Sequence, residues 1–234
     1  MQLKRRVDIL QRGRVGNHVW FKTVCGEIET AISSVIYPAG ASIFTINPKK
    51  KGNGVLPIKS AFIVCLNEKF GWNTEVPLPI SSSEANAGPV DAVKMIPTKG
   101  KRFAVEWETG NISSTHRALN KIALGILNGQ LIGGALVLPS RNLYKWLTDR
   151  IGNFQEIEPY FPVWAKLDYP LECVISVYEI EHDAEDVSVP LIPKGSDGMA
   201  KGLISSRILP RRKTSLALRR GRSKTAKAAR KRPR

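Results

Sequence analysis

Apolar residues recur at helical spacing in several stretches of the chain. Valine and isoleucine lie three to five positions apart between residues 14 and 36, and a proline follows soon afterwards. A second stretch runs from Pro57, which suits a first helical turn, to Gly71, which suits a helix end. A third continues from Ser113 to about Leu127. The pattern predicts three helices here and a shorter fourth over residues 140–150.

Short apolar runs between these stretches predict β-strands. "VDAVKMI" (90–96) and "RFAVEWE" (102–108) are joined by a Pro-Thr-Lys-Gly turn. "GGALVLP" (133–139) is apolar throughout, which is typical of a strand buried on both faces, and "CVISVYEI" (173–180) is a further strand. Strands interleaved with helices predict an α/β fold, with a central mixed β-sheet flanked by helices.

Carboxylates cluster on one of these strands. Successive strand side chains point to opposite faces, so Glu106 and Glu108 share a face. The other face is apolar: Phe103, Val105 and Trp107. Pairing with the preceding strand would bring Asp91 beside the two glutamates. Three carboxylates that close repel one another unless a cation joins them, and Mg²⁺ prefers such oxygen ligands. The spacing suits metal-assisted phosphodiester hydrolysis, but alone it also fits a solvated acidic strand edge.

Charge is unevenly distributed along the chain. The formal net charge is +16, yet residues 207–234 hold 13 of the 36 Lys and Arg residues and no acidic residue. The remaining 23 basic residues of 1–206 nearly balance the 20 acidic ones. We therefore predict one folded domain over 1–206 and a basic tail over 207–234 that is disordered alone and raises nucleic-acid affinity. The tail by itself would also suit a basic RNA-binding structural protein, which leaves the carboxylates unexplained.

Other features indicate an intracellular protein. The three cysteines, Cys25, Cys65 and Cys173, are too widely spaced for a metal motif and suit a reducing compartment. The N-terminus lacks the apolar core of a signal peptide, and no apolar run approaches the roughly 20 residues that span a bilayer. We expect a cytoplasmic protein without a membrane partner.

Several segments together resemble one enzyme family. They are "GPVDAVK", "EWETGNISSTHRALNK", "YKWLTDRIGNFQEIEPYF" and "VPLIPKGSDGM". In sequence and order they resemble the BamHI family of type II restriction endonucleases over residues 25–202, with the first 20 or so residues and the tail outside. The resemblance implies a restriction-endonuclease-like fold (the PD-(D/E)xK superfamily) and a homodimer. It further implies double-strand cleavage of GGATCC after its first G, dependent on Mg²⁺ with Mn²⁺ as a substitute, and a cognate methyltransferase as a separate protein.

The resemblance also implies catalytic residues. Asp91 and Glu106 fall on metal ligands, and Glu75 matches a further acidic position of the site. The backbone carbonyl of Trp107 is a further expected metal contact. Glu108 lies where many nucleases of this superfamily carry Lys, and would position or deprotonate the attacking water.

DNA-reading residues follow from the same comparison of motifs. Those that fall on the family's major-groove contacts are Asn111, Ser113, Arg117, Asp149 and Arg150. Their chemistry agrees, because Arg matches a guanine edge and Asp accepts from a cytosine amino group. Ser113 or Ser114 is the predicted helix cap. Lys59, with the lysines at 49–51, is expected at phosphates. The segment 189–199 resembles an arm that lies in the minor groove, with DNA contacts from Gly195, Gly198 and Met199.

The chain departs from the family at the expected dimer contacts. Leu127 and Asn128 replace a charged pair at the end of the third helix, and Pro162-Val163-Trp164 replaces acidic partners. We expect a more apolar association in which Trp164 and Leu127 are buried together. A noncatalytic, sequence-specific DNA-binding protein on the same fold is the alternative function.

Overall fold

The computed structural model describes residues 1–78, 88–148 and 151–194. All of these lie in one compact unit, Met1–Leu203. The strands are β1 (Gln2–Arg12), β2 (Thr45–Ile46), β3 (Asn73–Val76), β4 (Val90–Ile96), β5 (Lys101–Trp107), β6 (Leu131–Pro139), β7 (Cys173–Glu181) and β8 (Ala184–Glu185). The α-helices are α1 (Val19–Ser33), α2 (Leu56–Phe70), α3 (Ile112–Leu127), α4 (Arg141–Tyr144), α5 (Phe154–Ile157) and α6 (Phe161–Ala165).

A six-stranded mixed sheet forms the centre of the fold, in the order β1-β7-β6-β5-β4-β3. β5, β6 and β7 are parallel, whereas β1, β3 and β4 pair antiparallel to their neighbours. β2 and β8 form a separate parallel pair. The predicted α/β architecture with a central mixed sheet is confirmed.

Helices cover both faces of this sheet. One core joins α1 and α2 to the sheet through large side chains such as Phe62 and Phe103. A second core joins α3, α5 and α6 to the other face, with Leu119 against the sheet layer that contains Leu136. Every residue of β6 and β7 is buried because apolar layers lie on both sides, as predicted for residues 133–139.

Helix ends follow local signals where these are strong. α2 has Pro57 in its first turn and closes at Gly71, whose φ of 68° is the left-handed conformation that glycine adopts readily. α3 is capped by Asn111, whose side chain accepts a hydrogen bond from Ser114 N at 3.1 Å. The predicted cap at Ser113 or Ser114 is therefore wrong. Those residues already lie inside the helix, two and three positions after the capping residue.

The predicted helix over 140–150 stops at Tyr144. Beyond it, the backbone of residues 145–148 hydrogen-bonds to that of loop residues 51–53, at N–O distances of 2.7 and 3.0 Å. A backbone group used in this pairing is lost to the helix, so a long-range contact overrides the local helical pattern. The prediction is confirmed for residues 141–144 and wrong for 145–148.

Trp164 is buried within its own chain. Its side chain is 2% exposed, donates a hydrogen bond from Nε1 to Asn120 Oδ1 at 3.0 Å, and packs near the His116 ring. The expected burial of Trp164 against Leu127 across a dimer contact is therefore wrong, because α6 already buries the indole beneath α3. Leu127 remains exposed.

All three cysteines are free thiols, with Cys25 and Cys173 buried and Cys65 half-buried. None of the helices in the described ranges has both the length and the apolar character that crossing a bilayer requires.

Close packing of α3 on the sheet depends on Gly134 in β6. A Cβ atom there would lie 2.6 Å from Ile122 Cγ2 and 3.2 Å from the Ala104 carbonyl oxygen. We expect Gly134→Val to lower the free energy of unfolding by about 1–3 kcal/mol, because overpacking forces the helix and sheet apart. Urea denaturation measures this. Gly26→Ala, on an exposed helical position with open space, is the control and should be neutral or stabilising; equal losses in both variants would contradict the packing argument.

Candidate active site

A cleft of about 290 Å³ lies where β5 ends and α3 begins. Charged and polar groups from α2, β4, β5 and α3 converge on it. Its lining residues are Lys59, Pro89, Asp91, Glu106, Trp107, Glu108, Thr109, Gly110, Ser114, Arg117, Ala118 and Lys121. Most of the residues expected to act in catalysis thus meet in one concave place.

Asp91 and Glu106 lie side by side at this cleft. The antiparallel register of β4 and β5 pairs Ala92 with Val105, which puts the two acids on neighbouring strands at the same level. Asp91 Oδ2 also accepts a hydrogen bond from Trp107 N at 2.7 Å. The predicted approach of Asp91 to Glu106 is confirmed, and Glu108 lines the same cleft from just beyond the end of β5. The Asp91 and Glu106 side chains are only 9% and 8% exposed, so a solvated acidic strand edge is excluded.

Each of these carboxylates is paired with a lysine. Lys59 Nζ lies 2.5 Å from Asp91 Oδ1. Lys121 Nζ forms an ion pair with Glu106 Oε1, an oxygen that otherwise makes no hydrogen bond among the described residues. Lys121 also donates to the Pro89 carbonyl at 2.9 Å. Buried charges need such compensation, so the site requires positive charge at both carboxylates.

Burial perturbs the acid strength of the glutamates. Desolvation, reinforced by repulsion from Asp91, raises the pKa of Glu106 to about 7, although Lys121 and Lys59 oppose this shift. Desolvation also raises the pKa of Glu108, opposed by hydrogen bonds from the Thr115 hydroxyl and from the Gly110 and Thr109 N–H groups. Carboxyl groups with raised pKa values in a cleft are typical of functional sites.

The raised pKa of Glu106 predicts a pH-dependent stability. Because the folded pKa of about 7 exceeds the ordinary value of 4.5, stability from Glu106 is complete below pH 4.5 and is lost as pH rises through 7. The loss of unfolding free energy amounts to about 3–4 kcal/mol, at roughly 1.4 kcal/mol for each unit by which the pKa is raised. We expect Glu106→Gln to flatten the fall in unfolding free energy between pH 5 and 8, measured by urea titration in metal-free buffer.

Asp186→Asn is the control for this measurement. Hydrogen bonds from the Ser188 N–H and hydroxyl lower the pKa of Asp186 and keep it ionised above pH 5. This variant should therefore keep the parental slope between pH 5 and 8. If Glu106→Gln left the change of unfolding free energy with pH unaltered, the pKa of Glu106 in the folded protein would be its ordinary value.

The donor set fits a hard divalent cation. Asp91 and Glu106 provide adjacent anionic oxygens, and their mutual repulsion is relieved by any cation placed between them. Glu108 is directed differently, since its Oε1 accepts a hydrogen bond from Gly110 N. Within the described ranges, no three His, Cys, Asp or Glu side chains are arranged as a metal cage. A cation here would be held by two carboxylates, with further oxygen ligands from water or from a bound substrate.

Two further expected metal contacts differ in their placement. Glu75 lies on β3 between the residues that pair with Ala92 and Val90, yet it is exposed, has a positive φ of 51° and does not line the cleft. The structure therefore does not bring Glu75 to Asp91 and Glu106. Trp107 does line the cleft, while its ring packs in the core, 4.7 Å from the Phe62 ring.

The expected base-reading residues emerge beside the cleft. Asn111, Ser113 and Arg117 are exposed on the first turns of α3, and Arg117 also lines the cleft. The positive end of the α3 dipole therefore lies beside Asn111 and Ser113, and Arg117 follows on the second turn. Asp149 and Arg150 lie outside the described residues.

A second, basic cavity of about 250 Å³ lies where the loop at 50–51 meets the segment after β6. Its lining residues are Lys50, Lys51, Arg141, Tyr144, Lys145, Leu147 and Thr148. Four of these side chains are cationic, and the lining residue Thr148 immediately precedes Asp149 in the sequence. Arg141 and Lys145, which were not predicted to contact DNA, therefore lie in the same concave surface as the lysines at 50–51 that were predicted to contact phosphates.

The segment that leads to the expected arm is anchored to the body. Asn47 Nδ2 donates to the carbonyls of Val187 and Val189 at 3.0 and 2.8 Å, and Asn53 Oδ1 accepts from Ile192 N at 3.2 Å. Gly195, Gly198 and Met199 themselves lie outside the described residues.

Lys121 is the site residue that the sequence patterns did not indicate. A lysine within an amphipathic helix is ordinarily a surface residue, yet Lys121 is buried. A signal was present, because position 121 lies three residues after Ala118 and four before Gly125, inside the buried stripe of α3.

Comparisons with known proteins identify the family of the chain. The family model described as restriction endonuclease BamHI matches residues 1–199. The match begins at residue 1, so the expectation that the first 20 or so residues lie outside the resemblance is wrong. The chain is 49% identical over 200 residues to the type II restriction enzyme OkrAI of Oceanobacter kriegii, covering 86% of this chain and 99% of that enzyme. It is 41% identical over 179 residues to the type II restriction enzyme BamHI of Bacillus amyloliquefaciens, covering 75% and 81% respectively.

Proposed function

The chain belongs to the BamHI family of type II restriction endonucleases, and from that premise we propose that it cleaves both strands of GGATCC after the first G in an Mg²⁺-dependent reaction, leaving 5′ GATC overhangs. As a family member it is a site-specific deoxyribonuclease that acts on double-stranded DNA. The target sequence and the metal are the proposed part.

One observation carries the proposal. The buried acids Asp91 and Glu106 share a cleft with Arg117, on the helix that Asn111 caps. A protein that only bound DNA would gain nothing from buried carboxylates facing phosphates, which repel them. This favours a nuclease over the noncatalytic DNA-binding alternative.

The proposed roles are those that the family resemblance implies, and the contacts support them. Asp91 and Glu106 would hold Mg²⁺, which when bound supplies Lewis-acid stabilisation of phosphate charge and a more acidic bound water. Glu108, fixed by Gly110 N–H, would orient or deprotonate the attacking water. The ammonium of Lys59, on α2 at the cleft, would contact a phosphate next to the scissile one.

Base reading is proposed for residues at the start of α3. Asn111, Ser113 and Arg117 would enter the major groove, together with Asp149 and Arg150, which address one G·C pair from both sides. The basic cavity at residues 50–51 and 141–148 would follow the DNA backbone beside them.

Residues beyond the described ranges complete the proposed DNA contacts. The arm that contains Gly195, Gly198 and Met199 would lie in the minor groove. The basic tail at 207–234, following a folded domain at 1–206, would act as an electrostatic tether during the search for a site, because its cations displace counterions from DNA.

We further propose a homodimer, since a two-fold palindrome is matched by a two-fold protein. Exposed apolar side chains support an interface around the end of α3 and α6: Leu124, Leu127, Tyr160 and Val163. The site of action would be the cytoplasm, with the host DNA protected by a separate methyltransferase.

A plasmid digest tests the proposal. One plasmid carries a single GGATCC, and a control plasmid differs there by one base pair. With Mg²⁺ we expect one linear product only from the first plasmid, with ends that ligate to a 5′ GATC overhang. Cleavage of both plasmids, or ends of another sequence, would disprove the proposed specificity. Tight binding of the target without cleavage in Mg²⁺ or Mn²⁺ would favour the noncatalytic alternative.

A further inference from the structure

Lys121 occupies an unusual position for a lysine in this fold. It is buried, pairs with Glu106 and donates to the Pro89 carbonyl, so its ammonium lies between a catalytic carboxylate and the start of β4. The ammonium of Lys59, on α2, forms an ion pair with Asp91 Oδ1. In this arrangement two ammonium groups neutralise the two carboxylates that would hold a divalent cation.

We propose that Lys121, together with Lys59, occupies the cation positions of the DNA-free protein, and that docking of α3 on DNA withdraws the Lys121 ammonium so that the metal can bind. Lys121 is then a positioning residue that couples DNA recognition to metal loading. The inference rests on the proposed function, since it takes Asp91 and Glu106 as the metal-holding acids.

Electrostatics makes the two kinds of cation compete. If both lysines stayed in place, a divalent ion bound at Asp91 and Glu106 would lie within a few ångströms of two positively charged ammonium groups. The buried surroundings screen this repulsion weakly. A lysine that leaves its carboxylate must find another anion, because a buried ammonium without a partner is costly. The DNA-free protein offers Lys121 the Pro89 carbonyl, whereas DNA brings phosphates to the cleft.

The helix provides the connection to recognition. Lys121 lies four residues after Arg117, so both side chains emerge on the same face of α3 and line the same cleft. Movement of the first turns of α3 onto a base edge also moves the turn that carries Lys121. Helix α3 therefore links the docking of Arg117 on DNA to the release of Glu106 from its ion pair with Lys121.

Manganese binding tests this coupling directly. Free Mn²⁺ is measured by electron paramagnetic resonance, with and without a GGATCC duplex whose scissile linkages are uncleavable 3′-methylene phosphonates. For the parent protein we expect the duplex to tighten Mn²⁺ binding at least about tenfold. In Lys121→Met, the DNA-free protein should bind Mn²⁺ at least about tenfold more tightly than the parent, and the duplex should add little.

Three variants serve as companions. Lys121→Arg keeps the cation and should behave as the parent. Lys59→Met tests the same displacement at Asp91 and replaces Lys121→Met should that variant unfold, as judged by circular dichroism. Lys94→Met removes a half-buried lysine from its ion pair with Glu27, 3.1 Å away and outside the cleft, and should leave Mn²⁺ binding unchanged.

Two results would overturn the inference. One is a folded Lys121→Met or Lys59→Met whose DNA-free Mn²⁺ affinity stays within about twofold of the parent. The other is a parent that binds Mn²⁺ equally well with and without the duplex. Plasmid digestion by the same parent preparation separates the two proposals: normal GGATCC cleavage with either result refutes the coupling alone, whereas no cleavage and no Mn²⁺ binding refutes both.

Discussion

Asp91→Asn is expected to slow cleavage of GGATCC by at least about a thousandfold while the protein stays folded and still binds the duplex. The amide retains an oxygen that can accept the Trp107 N–H hydrogen bond, so the junction of β4 and β5 is preserved. The variant loses the negative charge that faces Lys59 and that would hold Mg²⁺. A metal contribution of several kcal/mol to the transition state corresponds to a rate factor of this size.

The measurement combines initial rates of plasmid linearisation with duplex affinity from fluorescence anisotropy. Asp168→Asn provides the control, because it makes the same chemical change at a fully exposed carboxylate that pairs with Arg12. This control should cut at the parental rate. If Asp91→Asn retains a tenth or more of the parental rate, Asp91 is not a metal ligand.

Glu108→Lys is expected to slow cleavage about a hundredfold or more with duplex affinity retained. Lysine cannot accept the hydrogen bond that Gly110 N donates to Glu108 Oε1, and it cannot take a proton from water. The substitution replaces a negative charge in the cleft with a positive one, which favours binding of the DNA phosphates. The expected result is a protein that finds its sequence but rarely cuts it, observed as a stable complex in Mg²⁺.

Two companion variants separate the causes. Glu108→Gln keeps an acceptor for Gly110 N–H but removes the charge, so it should be nearly as slow if the carboxylate acts on water. Parental activity in Glu108→Gln would reduce the role of Glu108 to shaping the loop. Glu68→Lys makes the same charge change at an exposed position of α2 and should cut normally.

Elements with strong local signals could be predicted from the sequence. Pro57 and Gly71 bracket α2, and the turn at 97–100 separates β4 from β5 as expected. The alternation of Glu106 with its apolar neighbours also predicted its approach to Asp91, because strand geometry determines which side chains share a face.

Elements that depend on distant partners were not predicted. β1 carries Lys4, Arg5 and Arg6, which interrupt any apolar alternation, and it is a strand because it pairs with β7 some 170 residues away. Arg5 is compensated there by Glu179, with Nε and Oε2 2.6 Å apart. Lys121 was not predicted either, although it lies within the buried stripe of α3, because its burial also requires Glu106 of β5 as an ion-pair partner.

The short connection between β5 and α3 has a consequence for redesign of this protein. Gly110 donates to Glu108, its carbonyl accepts from Gly152 N at 2.9 Å, and a Cβ on it would lie 2.7 Å from Ser114 Cβ. Exchanging residues of α3 alone to obtain a new target sequence would therefore also displace Glu108 in the active-site cleft. A successful chimera should transplant residues 105–122 as one block, with their supports at 151–153.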